Sequence, residues 1–318
     1  MTRVAAVDCG TNSIRLLIAD VSADGSSLTD VLRTMTVVRL GQGVDKTGEF
    51  AADALERTFA AVDEYEQECR EHDVTAIRFV ATSATRDARN RGDFIEGVQS
   101  RLGVTPEVIT GDEEAELSFR GAVSVIDPAR PAPYLVVDLG GGSTEMVLGE
   151  RSPASAHSMN VGCVRMSERH LVSDPPTDAE IAAAKVDVDV ALDLAMQSVD
   201  VSQARSLVGL AGTITTVTAH ALGLSGYDRD AINGASVSID DAIESCETLL
   251  HATRAEREAM PFMHPGRVDV IGAGALVWSA VMKRVREQVV AAGGELDATV
   301  TSEHDILDGI AFSAAARG

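Results

Sequence analysis

Two apolar runs, each tipped by an aspartate and followed by a turn of small residues, organise this chain. Val4-Ala5-Ala6-Val7 ends in Asp8, and Gly10-Thr11-Asn12-Ser13 leads into a second run from Ile14 to Val21. Tyr134-Leu135-Val136-Val137 ends in Asp138, and Gly140-Gly141-Gly142-Ser143-Thr144 leads into a run that opens on Glu145. Each copy predicts a strand hairpin with a carboxylate at its tip. Residues 31–40 predict a third strand beside the first hairpin. Leu55, Phe59, Val62 and Cys69 recur at helical spacing and predict a helix over 51–71. A strand over 77–81, a helix over 93–102, a short strand at 108–109 and a helix over 112–125 follow. The proline-rich stretch Asp127 to Pro133 breaks the chain before the pattern restarts.

The second half repeats the order. Strands over 134–138, 144–149 and 155–161 precede helices over 163–171 and 178–199. A strand over 206–210, helices over 213–222, 239–253 and 271–290, a strand over 298–301 and a last helix from 303 complete it. A hairpin, a third strand and then alternating helix and strand, written twice, predict an α/β fold with mixed sheets. The expected domains are 1–128, joined by the closing helix 303–318, and 129–302. A ligand is expected in the cleft between them, at the strand tips.

With 318 residues, 45% of them hydrophobic, the chain can bury two cores. No stretch approaches the roughly 18 consecutive apolar residues of a membrane span. Met1-Thr2-Arg3 leads at once into the first strand, so no leader and no membrane partner are expected. Cys9, Cys69, Cys163 and Cys246 are scattered, which predicts reduced thiols in a cytoplasmic protein. The net charge of −22 argues against a nucleic-acid partner. A polyanionic substrate would then need a bound cation and locally gathered arginines. Lysines occur only at 46, 185 and 283, so nearly all the basic residues are arginines, which suit bidentate phosphate contacts.

The chemistry concentrates in the turns. Free backbone N–H groups in a small-residue turn cradle phosphate oxygens, and an aspartate beside them can hold a divalent cation. One glycine would serve a tight hairpin; three at 140–142 suggest close approach of a ligand. Arg86 follows a strand in Thr82–Asn90, where it either clamps a phosphate or lies on the surface, with Asn90 locking the turn. Asp112, Glu113 and Glu114 open a helix. They either complement its dipole, with Thr110 and Glu113 as a capping box, or place a base at Glu114. Gly212-Thr213 at another helix start suits an anion or a cap. The histidines at 157, 170, 220, 251, 264 and 304 show no metal-ligand spacing. Neither a Gly-x-Ser-x-Gly elbow nor a P-loop is present.

Taken together, the motifs resemble the exopolyphosphatase / guanosine pentaphosphate phosphohydrolase (Ppx/GppA) family in its short two-domain form. They are Asp8-x-Gly10-Thr11-Asn12-Ser13, Arg39-x-Gly41-x-Gly43, Thr85-Arg86-x-Ala88-x-Asn90, Gly111-x-Glu113-Glu114-Ala115 and Asp138-x-Gly140-Gly141-Gly142-Ser143-Thr144-Glu145. Val161-Gly162-x-Val164-Arg165, Ala211-Gly212-Thr213 and Arg267-x-Asp269-Val270-Ile271 extend the match through the second half. The resemblance implies duplicated actin/hexokinase/Hsp70-like (ribonuclease H-like) domains and hydrolysis of a terminal phosphoanhydride. It implies Mg²⁺, or Mn²⁺ in its place, positioned by Asp138, Glu145 and Asp8. Glu114 would activate water. Gly10, Thr11, Asn12, Ser13, Arg86, Gly140, Gly141, Gly142, Ser143, Thr144, Gly212 and Thr213 would hold phosphate oxygens. Arg39, Arg165 and Arg267 would steer the rest of the substrate.

The substrate expected from the resemblance is inorganic polyphosphate, with guanosine pentaphosphate as the alternative and a homodimer as the assembly. A kinase or ATPase of the same superfamily, or a non-catalytic polyphosphate sensor, are the readings that Glu114 and Asp138 argue against. One motif departs from the family. Many relatives close with Ser-…-Arg-Glu-Gly, whereas this chain has Ser302-Glu303-His304-Asp305-Ile306-Leu307-Asp308-Gly309. Asp305 and Asp308 are read as capping and solvating the last helix.

Overall fold

The computed structural model of the chain describes residues 1–317. Its strands, in chain order, are β1 Thr2–Cys9, β2 Ser13–Val21, β3 Leu28–Val37, β4 Ala76–Ala81, β5 Glu107–Val108, β6 Tyr134–Leu139, β7 Thr144–Gly149, β8 Pro153–Met159, β9 Ser206–Leu210, β10 Ser236–Ser238 and β11 Ala298–Thr301. They form a five-stranded sheet ordered β3-β2-β1-β4-β5 and a six-stranded sheet ordered β10-β11-β9-β6-β7-β8. In the first sheet β1 runs antiparallel to β2 and parallel to β4. In the second, β6 runs antiparallel to β7 and parallel to β9, and β11 takes the place of β5. The repeat read in the sequence is therefore a repeat of topology: the same hairpin, third strand and parallel additions occur twice. This is a ribonuclease H-like sheet plan, present in both halves.

The fold separates into two compact units, Met1–Gly121 with the closing helix from Ile306, and Ala122–Asp305. In the first unit, β1 alternates its side chains between two cores. Ala5, Val7 and Cys9 pack with Ile14, Leu16, Val62 and Phe94, on the face covered by helices Ala52–Glu71 and Arg91–Leu102. Val4 and Ala6 pack with Leu17, Ile306, Ile310 and Phe312, under the closing helix Ile306–Arg317. Burial on both faces is why β1 reads as an unbroken apolar run. The second unit has one large core in which Trp278, on helix Ile271–Ala291, is fully buried beneath the sheet.

Two expectations change here. The third strand ends at Val37 because Arg39 takes a positive φ of 52°, and Val38 and Arg39 turn their N–H groups onto the Asn12 carbonyl at 3.2 and 2.8 Å. Asp305 and Asp308 do not solvate the last helix; they are 5% and 1% exposed. Asp308 is buried against Arg33 of β3, whose Nη2 lies 2.6 Å from Oδ1, so it pins the closing helix to the sheet edge. Its departure from the family motif is thus a matter of packing within the first unit. Asp308→Ala is expected to destabilise the protein by about 3 kcal/mol, the order found when one partner of a buried pair is removed. Chemical denaturation measures this; a loss below about 0.5 kcal/mol would show that Asp30, Arg33's other partner, suffices alone.

Candidate functional site

The two hairpins close identically. Gly10 N–H donates to the Ser13 carbonyl at 3.0 Å, and Gly140 N–H donates to the Ser143 carbonyl at 3.0 Å. None of Gly10, Gly140, Gly141 or Gly142 has a positive φ, so backbone conformation alone does not demand glycine at these positions. The carbonyls of the second turn point to one side. Gly140 O accepts from Cys163 N at 3.0 Å, Gly141 O from Val164 N at 2.8 Å and Arg165 N at 3.1 Å, and Gly142 O from Arg165 Nε at 2.7 Å. These donors open the helix Cys163–Arg169. Gly162 permits the docking, because a Cβ there would lie 2.5 Å from the Gly141 oxygen. With the carbonyls so occupied, the N–H groups of Gly141 and Gly142 have no acceptor among the described residues, as an anion cradle requires.

The first turn uses the same device with different parts. Its carbonyls are taken by the segment after β3: Asn12 O by Val38 and Arg39, and Thr11 O by Gly41 N at 2.8 Å. Gly41 must be glycine because a Cβ would meet Thr11 Cγ2 at 2.4 Å, and Gly43 because its φ is +74°. The motif Arg39-x-Gly41-x-Gly43 is thereby explained as the clamp on the first turn. Thr11 Oγ1 is buried and has no hydrogen-bond partner among the described residues. Thr85 Oγ1, next in the chain to Arg86, is in the same condition. Buried hydroxyls are rarely left so. Thr85 belongs to the motif Thr85-Arg86-x-Ala88-x-Asn90, but the burial of its hydroxyl has no signature in the sequence.

Register shows where the two hairpins diverge. Asp138 sits directly opposite Glu145 across β6 and β7, which places both carboxylates on one face. They are 7% and 1% exposed, and Glu145 Oε1 accepts from Ser158 Oγ at 2.7 Å. The equivalent pair in the first unit is Asp8 and Arg15, whose Nε and Nη2 lie 2.9 and 2.7 Å from Asp8 Oδ2. Mg²⁺ accepts one or two protein carboxylates and completes its octahedron with water and phosphate oxygens. Asp138 with Glu145 fits that donor set. Asp8 has Arg15 at its Oδ2, a pairing set by strand register that local sequence does not mark. Among the described residues, no three His, Cys, Asp or Glu side chains are grouped to ligate a metal on their own.

Glu114 and Arg86 come together. Glu114, in the helix Gly111–Val123, is 8% exposed, and Arg86 Nη1 lies 2.6 Å from its Oε2 and 3.1 Å from the Ile109 carbonyl. Arg86 is therefore engaged with a carboxylate, and it fixes the orientation of the one residue expected to act as base. Thr110 Oγ1 accepts from Glu113 N–H at 3.2 Å, half of the expected capping box; the Glu113 carboxylate goes to Arg78 at 2.6 Å instead. Asn90 ties a neighbouring strand of chain rather than its own turn, bonding the Phe50 N–H at 2.8 Å and carbonyl at 3.1 Å.

In the second unit the helix Ala211–Ala221 begins at the tip of β9, with no side-chain cap and with Ala211 at a φ of 70°. Its bare first turn is a potential anion site. Arg267 lies over it: a Cβ on Gly212 would be 2.5 Å from Arg267 Nε, and Nη1 donates to Thr216 Oγ1 at 3.2 Å. The side chain of Thr213 packs close against Gly274. Four of the expected phosphate ligands are engaged elsewhere: Gly10 and Gly140 spend their N–H groups inside their own turns, Arg86 pairs with Glu114, and the Thr144 hydroxyl is turned inward onto the Val161 carbonyl at 2.6 Å. Arg39, Arg165 and Arg267 each lie against one of the expected anion turns, through Asn12, Gly142 and Gly212 respectively. All four cysteines are free and buried, and burial pushes the Cys163 thiol up to about 11. No helix among the described residues is long and apolar enough to cross a membrane.

A duplicated ribonuclease H-like sheet with an aspartate-tipped turn in each copy is the layout of an enzyme of phosphoryl chemistry. The chain belongs to the Ppx/GppA phosphatase family, whose model matches residues 17–296. It is therefore a hydrolytic enzyme. It is 50% identical, over 99% of both chains, to Exopolyphosphatase 2 of Mycobacterium tuberculosis. It is similar to the crystal structure of an exopolyphosphatase-like protein, at 49% identity and a TM-score of 0.96 over 99% of each chain. The Aquifex aeolicus family member is 28% identical, with a TM-score of 0.78 over 99% of this chain and 98% of its own.

Proposed function

We propose that this chain is a Mg²⁺-dependent exopolyphosphatase that releases orthophosphate from the ends of inorganic polyphosphate. One observation supports this above the others. The second hairpin offers acceptor-free N–H groups beside a facing carboxylate pair, an arrangement that takes an anion and a cation together, in a chain half identical to an exopolyphosphatase along its length. Glu114, oriented by Arg86, would accept a proton from water as its oxygen bonds to the terminal phosphorus. The bridging P–O bond breaks, orthophosphate leaves, and the shortened chain keeps the bridging oxygen. Gly141, Gly142, Thr11 and the bare helix start at Gly212-Thr213 would hold the phosphate oxygens as charge redistributes. Asp138 and Glu145 would hold Mg²⁺, which supplies neutralisation of phosphate charge. The buried, free cysteines accord with a cytoplasmic setting.

Guanosine pentaphosphate is the competing substrate, since its terminal phosphoanhydride is chemically the same. Phosphate release from short polyphosphate, long polyphosphate and guanosine pentaphosphate, measured in parallel, separates the two. Polyphosphate is expected to react fastest, and chelation of Mg²⁺ to slow release by about tenfold or more. A preference for guanosine pentaphosphate would move the enzyme to nucleotide chemistry, and an unchanged rate in chelator would remove the metal.

A further inference from the structure

A cavity of about 330 Å³ opens in the second unit among the helices Asp178–Ala195, Ile239–His251 and Ile271–Ala291. None of its lining residues belongs to the site described above. Its floor is apolar, made by Leu250, Ala275, Leu276 and Ala280 with the buried Cys246, whose thiol burial keeps protonated. One polar atom interrupts that floor. Ser279 is only 5% exposed, and its Oγ has no hydrogen-bond partner among the described residues. A buried hydroxyl left unsatisfied costs on the order of 1–3 kcal/mol, so it marks a place where a ligand atom is wanted.

The rim carries both signs of charge. Lys283 Nζ lies 3.2 Å from Glu247 Oε1, and Arg284 Nη2 lies 3.2 Å from Asp189 Oδ1, which ties each outer helix to the central one. Lys185 and Glu287 remain on the rim, and neither closes an ion pair among the described residues, although Glu287 adds to the field at Arg284. Two of the chain's three lysines line this one cavity, in a protein of net charge −22. Three cations therefore face three carboxylates. A polyanion would meet Asp189, Glu247 and Glu287, and a simple cation would meet Lys185, Lys283 and Arg284. A ligand with one charge of each sign and no net charge avoids both conflicts.

We propose that this cavity binds a small zwitterion of the α-amino acid type. Its carboxylate would pair with Lys185 and its ammonium with Glu287, its side chain would lie on the Leu250–Leu276 floor, and a polar atom would reach Ser279 Oγ. The size is at the small end of ligand sites and suits such a molecule. The proposal is independent of the substrate assigned to the catalytic site.

Calorimetric titration of the full chain with each of the twenty L-amino acids tests it. For the tightest binder, its amide, which is only a cation, and its des-amino acid, which is only an anion, are then titrated. At least one amino acid is expected to bind below millimolar concentration, with both single-charge analogues weaker by about tenfold or more. Lys185→Glu should weaken binding by a similar factor, and Ser279→Leu, which fills the cavity, should abolish it. Both variants should release phosphate from polyphosphate as the parent does. No binding of any amino acid at about 10 mM, equal binding of the des-amino analogue, or binding untouched by Lys185→Glu would overturn the proposal. Lys185 is exposed, so its variant decides the matter even if Ser279→Leu does not fold.

Discussion

Glu114→Gln is expected to lower kcat by about 10²–10⁴-fold while KM for polyphosphate stays within a few-fold of the parent value. The argument is one of position and charge. Gln keeps the shape of Glu and can still accept a hydrogen bond from Arg86, so the fold around the helix Gly111–Val123 should hold. What it loses is the ability to take a proton from water. The expected signature is therefore a fall in turnover without a matching loss of binding. A KM that rises with kcat unchanged would make Glu114 a binding group, and unchanged kinetics would leave it as part of the helix start. Arg86→Ala should imitate part of this effect through the released Glu114 carboxylate, because Arg86 touches the base rather than only solvent.

Asp138→Asn should reduce kcat by about 10²-fold and shift the Mg²⁺ titration to higher concentration, because it removes one charge of the facing Asp138–Glu145 pair. The duplicated hairpin supplies an internal control. Asp8→Asn changes the equivalent residue, yet there the opposite group is Arg15. Its expected cost is stability, about 1–3 kcal/mol from a half-buried guanidinium losing its carboxylate, with the Mg²⁺ titration much less affected. If the two variants shift the Mg²⁺ titration equally, Asp8 is a metal carboxylate as well, and Arg15 must move aside. If neither does, the cation is held elsewhere.

The hairpins were legible because their strands are buried on both faces. An uninterrupted apolar run ending in Asp and then in small residues has few other uses, and it occurs at both Asp8 and Asp138. The long helices were legible from periodicity. The three-residue strand Ser236–Ser238 was not, since it has no run long enough to show a period and exists by pairing with β11. The third strand ends before its apolar pattern does: Val38 and Leu40 look strand-like, but their neighbour Arg39 turns its backbone to clamp Asn12 and stops the strand.

The partners of charged residues were the least legible part. Arg86 with Glu114, Arg15 with Asp8, and Arg33 with Asp308 join positions far apart in the chain or depend on strand register, and local sequence encodes neither. The same holds for the clamp glycines. Gly41 and Gly162 looked like motif residues, and only the close approach of Thr11 and Gly141 explains why no side chain fits there.

The most direct test of the account is hydrolysis of polyphosphate in ¹⁸O-labelled water by the parent enzyme and by Glu114→Gln. Attack of water on the terminal phosphorus, with Glu114 as base, predicts one labelled oxygen in each released orthophosphate, none in the shortened chain, and near-complete loss of labelled product in the variant. Label in the remaining chain end, or labelled orthophosphate released as fast by Glu114→Gln, would contradict it.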